Sequence, residues 1–207
     1  MSHFITIEGI EGVGKSTAVE FIREALTEKK IDFIVTREPG GTSLAEKIRA
    51  LFLSVPHAVE AMQPDTELLL VFAARVQHVH EVIQPALDQG KWVICDRFTD
   101  ASFAYQGAGR GIEWDRIRYL EKWLLPHLSP DLTFLLHAPV SVGMSRAKHR
   151  GPQDRIEKEK KDFFERVQEG YFSRLKAEPH RFFSIDATQS IESVQANIQA
   201  VLDRLSQ

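Results

Sequence analysis

Apolar and polar positions along the chain fall into two alternating periods. Short, nearly unbroken apolar runs occupy Phe4–Glu8, Phe33–Arg37, Trp92–Asp96, Leu132–His137 and Phe182–Asp186. Runs of that length, bounded by turn residues, are the pattern of strands buried on both faces. Between them apolar residues recur every three or four positions, which predicts helices around Thr17–Lys29, Ser43–Leu53, Asp65–Asp88, Trp114–Leu125, Ser141–Lys148, Lys161–Ala177 and Ile191–Leu205. The helix from Asp65 would span roughly 36 Å at 1.5 Å per residue, with Leu68, Leu69, Phe72, Val76, Val79 and Ile83 as its apolar stripe. Strand and helix in alternation predict an α/β fold, a five-stranded parallel sheet with helices on both faces. Ligands of such sheets bind outside the carboxyl ends of the strands. Interest therefore concentrates on Glu8–Ser16, Arg37–Thr42, Asp96–Phe98 and the segment after His137.

One of those strand ends carries a motif. Gly9-Ile10-Glu11-Gly12-Val13-Gly14-Lys15-Ser16 has the spacing G-x-x-x-x-G-K-S, between a strand and a helix that opens near Thr17. Glycines let successive backbone N–H groups point inward around a polyphosphate, and the following helix turns its positive end to the same anion. Lys15 adds a mobile charge for the β- and γ-phosphates, and the Ser16 hydroxyl suits Mg²⁺. A dinucleotide fingerprint is excluded, because the third glycine counted from Gly12 and Gly14 would fall on Thr17. The residues from Gly9 to Thr17 are thus expected to bind a nucleoside triphosphate.

Composition narrows the class without changing it. The chain has 207 residues, 43% hydrophobic and 27% charged, ordinary values for one globular domain. A formal charge of −3 offers no basic surplus for a nucleic acid polymer. No run of about 18 apolar residues and no N-terminal signal pattern occurs, so neither a membrane span nor secretion is expected. The single cysteine, Cys95, lies in an apolar run and reads as a buried thiol compatible with a reducing cytoplasm.

The remaining strand ends hold candidate chemistry, each with a plainer rival. Arg37 and Glu38 stand at the mouth of the Pro39-Gly40-Gly41 turn, as a ligand wall or as solvated charges. Phe72 and Arg75 are three apart and share a helix face, fit either to stack and hydrogen-bond a base or to serve as core and surface. His78 and His80, two apart, point to nearly opposite faces, which argues against a helical metal pair. Asp96 ends the third strand where P-loop proteins keep a Mg²⁺-organising carboxylate, and Arg97 beside it could hold a phosphate or merely pair with it. In Ser102–Gly111, Gln106 offers a donor and an acceptor to a nucleobase edge and Tyr105 a ring, while the following glycines fit a flexible connection. The charged stretch Arg146–Glu157 is interrupted by Gly151-Pro152 and fits a cationic flap over a phosphoryl-transfer site or a solvated loop.

Taken together, Gly9–Ser16, Thr36–Thr42, Phe72–Gln77, Asp96–Phe98 with Ser102–Gly111, Asp154–Glu157 and Ile185–Thr188 closely resemble the thymidylate kinase family in its bacterial form. The resemblance implies a P-loop nucleoside monophosphate kinase fold over residues 1–207, with a lid at about 146–160. It further implies transfer of the ATP γ-phosphoryl to dTMP with Mg²⁺, and a cytoplasmic homodimer packed through long helices. By the same resemblance Phe72 stacks on thymine, Arg75 bonds a base carbonyl, and Ser102, Tyr105 and Gln106 sit at the base. Arg97 grips the acceptor phosphate, Arg37 and Pro39 form the wall beside it, and Glu11 reaches the deoxyribose. Ser16, Asp96 and Glu157 form the Mg²⁺ side. Some family members carry an arginine after the P-loop acid, where this chain has Gly12. The charge-neutralising arginine is then expected from the lid, Arg155 first and Arg150 second. The rivals are a kinase for another pyrimidine nucleoside monophosphate or a deoxynucleoside, and a nucleotide-binding switch, for which the guanine-reading N-K-x-D is missing.

Overall fold

The computed structural model describes residues 2–54, 61–149, 151 and 153–205. Five strands, β1 (Phe4–Glu8), β2 (Phe33–Arg37), β3 (Trp92–Asp96), β4 (Leu132–His137) and β5 (Phe182–Asp186), form one sheet in the order β2-β3-β1-β4-β5. Every pairing is parallel, with Ile7 opposite Asp96, Arg37 opposite Asp96, and Glu8 opposite Leu135. The bounds agree with the apolar runs because central strands such as β1 are buried on both faces. The chain leaves β1 toward β2, returns to β3, then crosses β1 to reach β4. The topological switch therefore falls at β1, and the crevice at its carboxyl end is where ligands collect.

Helices cover both faces: α1 (Lys15–Glu28), α2 (Ser43–Leu53), α3 (Pro64–His78), α4 (Gln84–Asp88), α5 (Thr99–Ser102), α6 (Trp114–Leu124), α7 (Val140–Lys148), α8 (Lys161–Ala177) and α9 (Ile191–Leu205). The continuous helix expected over Asp65–Asp88 is instead broken by a π-helical turn, Val79–Ile83, between α3 and α4. Pro85 explains the site of the break: it lacks the N–H that the α-ladder would need and crowds the preceding turn.

A second departure lies after β3. The stretch Thr99–Gly109, whose glycines fitted a flexible connection, is helical, running from α5 into a π-helical turn over Phe103–Gly109. Gly109 is there for space: a Cβ would stand 2.7 Å from the Phe163 ring of α8. α8 can therefore lie directly on the stretch that carries Tyr105 and Gln106.

A buried ionic knot holds these layers. Asp100 is fully buried and accepts from Arg174 of α8 at 2.8 Å and from Arg181 at 2.7 and 2.8 Å. Arg181 also donates to Thr133 of β4, whose hydroxyl meets Thr6 of β1. Burial alone would push the Asp100 carboxyl up, but the two guanidiniums outweigh it and hold it below its ordinary value. Asp100→Asn should cost about 3–5 kcal/mol of unfolding free energy, because it leaves the buried Arg174 and Arg181 with the half-buried Glu178 as their one remaining carboxylate partner among the described residues. Urea denaturation of the two proteins measures the difference directly.

Candidate active site

At the carboxyl end of β1 the loop closes back on itself. Gly12 and Gly14 adopt φ of 74° and 94°, a region that only glycine enters without cost. Lys15 donates to the Gly9 and Ile10 carbonyls at 3.1 and 2.9 Å, so the ammonium rests on the loop it serves. Ser16 and Thr17 are exposed at the start of α1. Gly12 also has a packing role: a Cβ would lie 2.0 Å from the Gly143 carbonyl oxygen of α7. No side chain, an arginine included, fits at Gly12 without moving α7.

Two clefts flank the loop. On one side about 850 Å³ of space is lined by Gly12, Val13, Gly14, Thr17, Arg146 and the start of α9. On the other a cleft of about 540 Å³ is lined by Glu11, Glu38, Pro39, Arg49, Phe52, Leu53, Val71, Arg75, Arg97, Ala101, Ser102, Tyr105, Gln106, Asp154 and Ile156. Most of the residues expected around an acceptor nucleotide are gathered in this second cleft.

Arg97 stands at the junction. Its backbone is left-handed, φ 73°, uncommon for a residue with a side chain. Its guanidinium donates to the Gly9 carbonyl (2.9 Å), the Tyr171 hydroxyl (2.9 Å) and Glu11 (2.8 Å) and lies over the Tyr105 ring at 4.8 Å. Glu11 also receives the Tyr105 hydroxyl. Behind them Glu8, fully buried, accepts from the Tyr171 hydroxyl and the Phe98 N–H, each at 2.7 Å. Burial foremost, and then the Asp100 charge, pushes Glu8 up to about 8.

The base-reading candidates divide. Arg75 is buried and donates to Glu38 (2.6 Å), Ser102 (3.0 Å) and the Phe98 carbonyl (2.9 Å). Glu38 is held in turn by His78, whose other ring nitrogen meets Thr36 at 2.6 Å; both nitrogens of His78 thus engage protein groups. Phe72 does not line the cleft. It is 1% exposed and packs with Leu68, Phe103, Ile112 and Ile117. The helix turns about 100° per residue, and the neighbour four before Arg75, Val71, takes the cleft wall instead. The aromatic faces there belong to Phe52 and Tyr105.

Of the two residues expected to form a wall beside the acceptor phosphate, Pro39 lines the cleft but Arg37 does not; Arg37 is exposed and paired with Glu46. Arg49 holds the Pro39 carbonyl at 2.8 Å, and burial, then the nearby Arg37 charge, pulls it below its ordinary value. The sequence reading missed Arg49, Phe52 and Leu53, although their spacing of three and four on α2 marks one face.

In the segment expected to form a lid, Asp154 caps the Ile156 and Glu157 N–H groups at 2.9 Å each, and Ile156 is buried. Arg155 turns toward α2 and α3. It donates to the Phe52 carbonyl at 2.9 Å, pairs with Glu67 at 2.8 Å and lies over the Phe52 ring. Arg150 lies outside the described residues. Glu157 lines a small cavity with Ile10, Glu11, Met144, Gln153 and Phe164. Among the described residues no group of three or more His, Cys, Asp or Glu could by itself hold a metal ion. Asp96, however, keeps one buried carboxylate oxygen without a partner among the described residues.

A parallel sheet of this order, a P-loop on its central strand and a second cleft joined to it by an arginine define a P-loop phosphotransferase of the nucleoside monophosphate kinase type. Comparison narrows the class. A family model described as thymidylate kinase matches residues 7–198. The thymidylate kinase of Vesicomyosocius okutanii is 52% identical over 202 residues, covering 98% of each chain. That of Pseudomonas putida is 52% identical over 199 residues, covering 96% of this chain and 94% of the other. The crystal structure of thymidylate kinase from Ehrlichia chaffeensis superposes with a TM-score of 0.78 at 34% identity, covering 98% of both chains. The chain belongs to the thymidylate kinase family.

Burial foremost, and then the Arg97 charge, pulls the Lys15 ammonium down to about 8. Polyphosphate on the loop should restore it, so nucleotide binding should take up close to one proton at about pH 9 and little at about pH 7. Calorimetry of ADP binding in buffers of different ionisation enthalpy counts the proton. Lys15→Arg, charged at either pH, should abolish the uptake; an equal uptake in that variant assigns the proton elsewhere.

Proposed function

We propose that the chain transfers the γ-phosphoryl group of ATP to the 5′-phosphate of dTMP, giving ADP and dTDP. The observation that carries this reading is the junction at Arg97, whose guanidinium touches both the P-loop and Glu11 of the acceptor cleft. The acceptor oxygen is already anionic at neutral pH, so positioning and charge complementarity supply most of the rate. Gly9, Ile10, Gly12, Val13 and Gly14 offer backbone N–H groups to the donor phosphates, with Thr17 beside them. Lys15 exchanges its two loop carbonyls for phosphate oxygens. Arg97 has used three of its five N–H groups on protein, and the other two serve the acceptor phosphate beside Pro39 and Arg49.

Mg²⁺ fits the donor side. The partnerless oxygen of Asp96 and the exposed Ser16 hydroxyl suit an ion that takes most of its ligands from phosphate and water, and it would neutralise charge on the transferring group. Glu157 is the more distant contributor, from the lid. At the base, Arg75 donates to a carbonyl, Gln106 reads the adjacent edge, and Ser102 and Glu38 hold Arg75. Val71, Phe52 and Tyr105 supply the contact surface first assigned to Phe72. Glu11 lies within the acceptor cleft, consistent with a sugar contact.

Residues 1–207 act as one catalytic unit whose lid, about 146–160, brings an arginine to the transition state. Arg155 must exchange Glu67 for phosphate to serve. A coupled assay of ADP release should show turnover with dTMP that exceeds turnover with thymidine; faster phosphorylation of thymidine overturns the assignment. In the same assay Arg155→Ala should lower kcat at least about a hundredfold, with a much smaller change in the KM for dTMP. An unchanged kcat transfers the role to Arg150.

The working form is a cytoplasmic homodimer. Among the described residues no helix is long and apolar enough to cross a membrane. Leu51 of α2, Leu69 of α3, and Tyr119 and Trp123 of α6 are 56–68% exposed, an apolar set that a second copy would cover. Sedimentation should give twice the 23.5 kDa chain mass, and Leu69→Glu with Tyr119→Glu should return it to one; a monomeric parent protein refutes the dimer.

A further inference from the structure

Glu67 lies in the first turn of α3 and is fully buried. Three donors converge on its carboxylate: the Gln106 side-chain nitrogen at 2.9 Å, the Arg110 guanidinium at 3.2 Å and Arg155 at 2.8 Å. Salt-bridged to two guanidiniums, the group acts there only as an acceptor. The Gln106 amide therefore has one permitted orientation, nitrogen toward Glu67. Its oxygen receives no hydrogen bond among the described residues, while Gln106 and the donor-only Arg75 line the same cleft.

We infer that Glu67 is a positioning residue for substrate choice: by locking the Gln106 amide it makes the cleft present one acceptor beside one donor, the complement of a 4-keto pyrimidine with N3–H. This inference rests on the proposed dTMP site and deepens it. A cytosine ring reverses both groups, offering an amino donor at C4 and an acceptor at N3. It would face Arg75 with a donor and the Gln106 oxygen with an acceptor, leaving buried polar groups unpaired. Mismatches of that kind, rather than a methyl group, give a site its largest discrimination.

Glu67→Gln tests the lock. Arg155, paired with Oε2, draws the new amide oxygen to that side, away from the position that faces Gln106, while Arg110 lies equally close to both positions. The new amide nitrogen then faces Gln106, which must flip and present its own nitrogen to the cleft. dUMP and dCMP differ only at the edge in question, so the ratio of their kcat/KM values is the readout. We expect the dUMP preference to fall at least about tenfold in Glu67→Gln, with a smaller loss in kcat for dTMP. In a Gln106→Leu background the second substitution should leave the ratio unchanged, since Glu67 acts through Gln106. Should Glu67→Gln be too unstable to purify, Glu67→Asp withdraws the acceptor by one methylene and should shift the ratio in the same direction. A lowered melting temperature with an unaltered dUMP:dCMP ratio in these variants reduces Glu67 to a structural role and overturns the proposal. Binding constants for dUMP and dCMP, measured without ATP, keep the test independent of turnover. If the wild-type chain fails to phosphorylate dTMP, the proposed function falls while this measurement still decides the amide's orientation.

Discussion

The contacts of one guanidinium hold the two halves of the site in register. Arg97 follows the last residue of β3 in a left-handed conformation, which costs of order 1–3 kcal/mol and persists only where its surroundings over-determine it. Here they do. Its N–H bonds the Ile7 carbonyl of β1, and its guanidinium reaches the P-loop, Glu11 and Tyr171 of α8. The turn that is unfavourable for the backbone carries the side chain off the sheet edge and over the ring of Tyr105. Without it the P-loop and the acceptor cleft would share a strand end and Glu11 but no common cation.

Around this point the fold places many ionisable side chains out of water, each with partners of the opposite sign or with aligned hydrogen-bond donors. Glu8 is served by Tyr171 and the Phe98 N–H, Glu38 by Arg75 and His78, Asp100 by Arg174 and Arg181. Such pairs are poor sources of net stability, because desolvation offsets most of their attraction. Their value is orientation. In a site shielded from water, donors already aimed at developing charge need no reorganisation during transfer.

Strands were the most legible part of the chain, because a strand buried on both faces writes itself as an unbroken apolar run between turns. The long helix was legible in direction and face but not in continuity; Pro85 carried the signal for the π-helical turn. Phase decided which side chain faces the cleft. Positions three and four before Arg75 both neighbour it on a helix. Aromatic chemistry favoured Phe72, whereas the observed packing turns Phe72 into the core and Val71 into the cleft. Arg49 and Phe52 stayed hidden because they belong to an ordinary amphipathic stripe. The expectation of a lid rested on charge alone, which gave no sign of the partner of Arg155: Glu67 lies 88 positions earlier in a different helix, and no spacing rule connects them.

That partner also bears on how Arg155, in its proposed lid role, can be held and yet be released. Pulling a guanidinium from a buried carboxylate is ordinarily prohibitive, since the charge left behind has no counterpart. Glu67 avoids that penalty because Arg110 and Gln106 stay on it when Arg155 departs. Arg155 for its part has a buried terminal nitrogen without a partner among the described residues, as does Arg110, and such groups cost about 1–3 kcal/mol each. The resting contact is thus incompletely satisfied, and phosphate oxygens would offer Arg155 acceptors that Glu67 and Phe52 cannot. In the proposed exchange the unsatisfied donor of Arg155 gains an acceptor while Glu67 keeps two partners, and both effects lower the cost of moving Arg155 to a bound nucleotide.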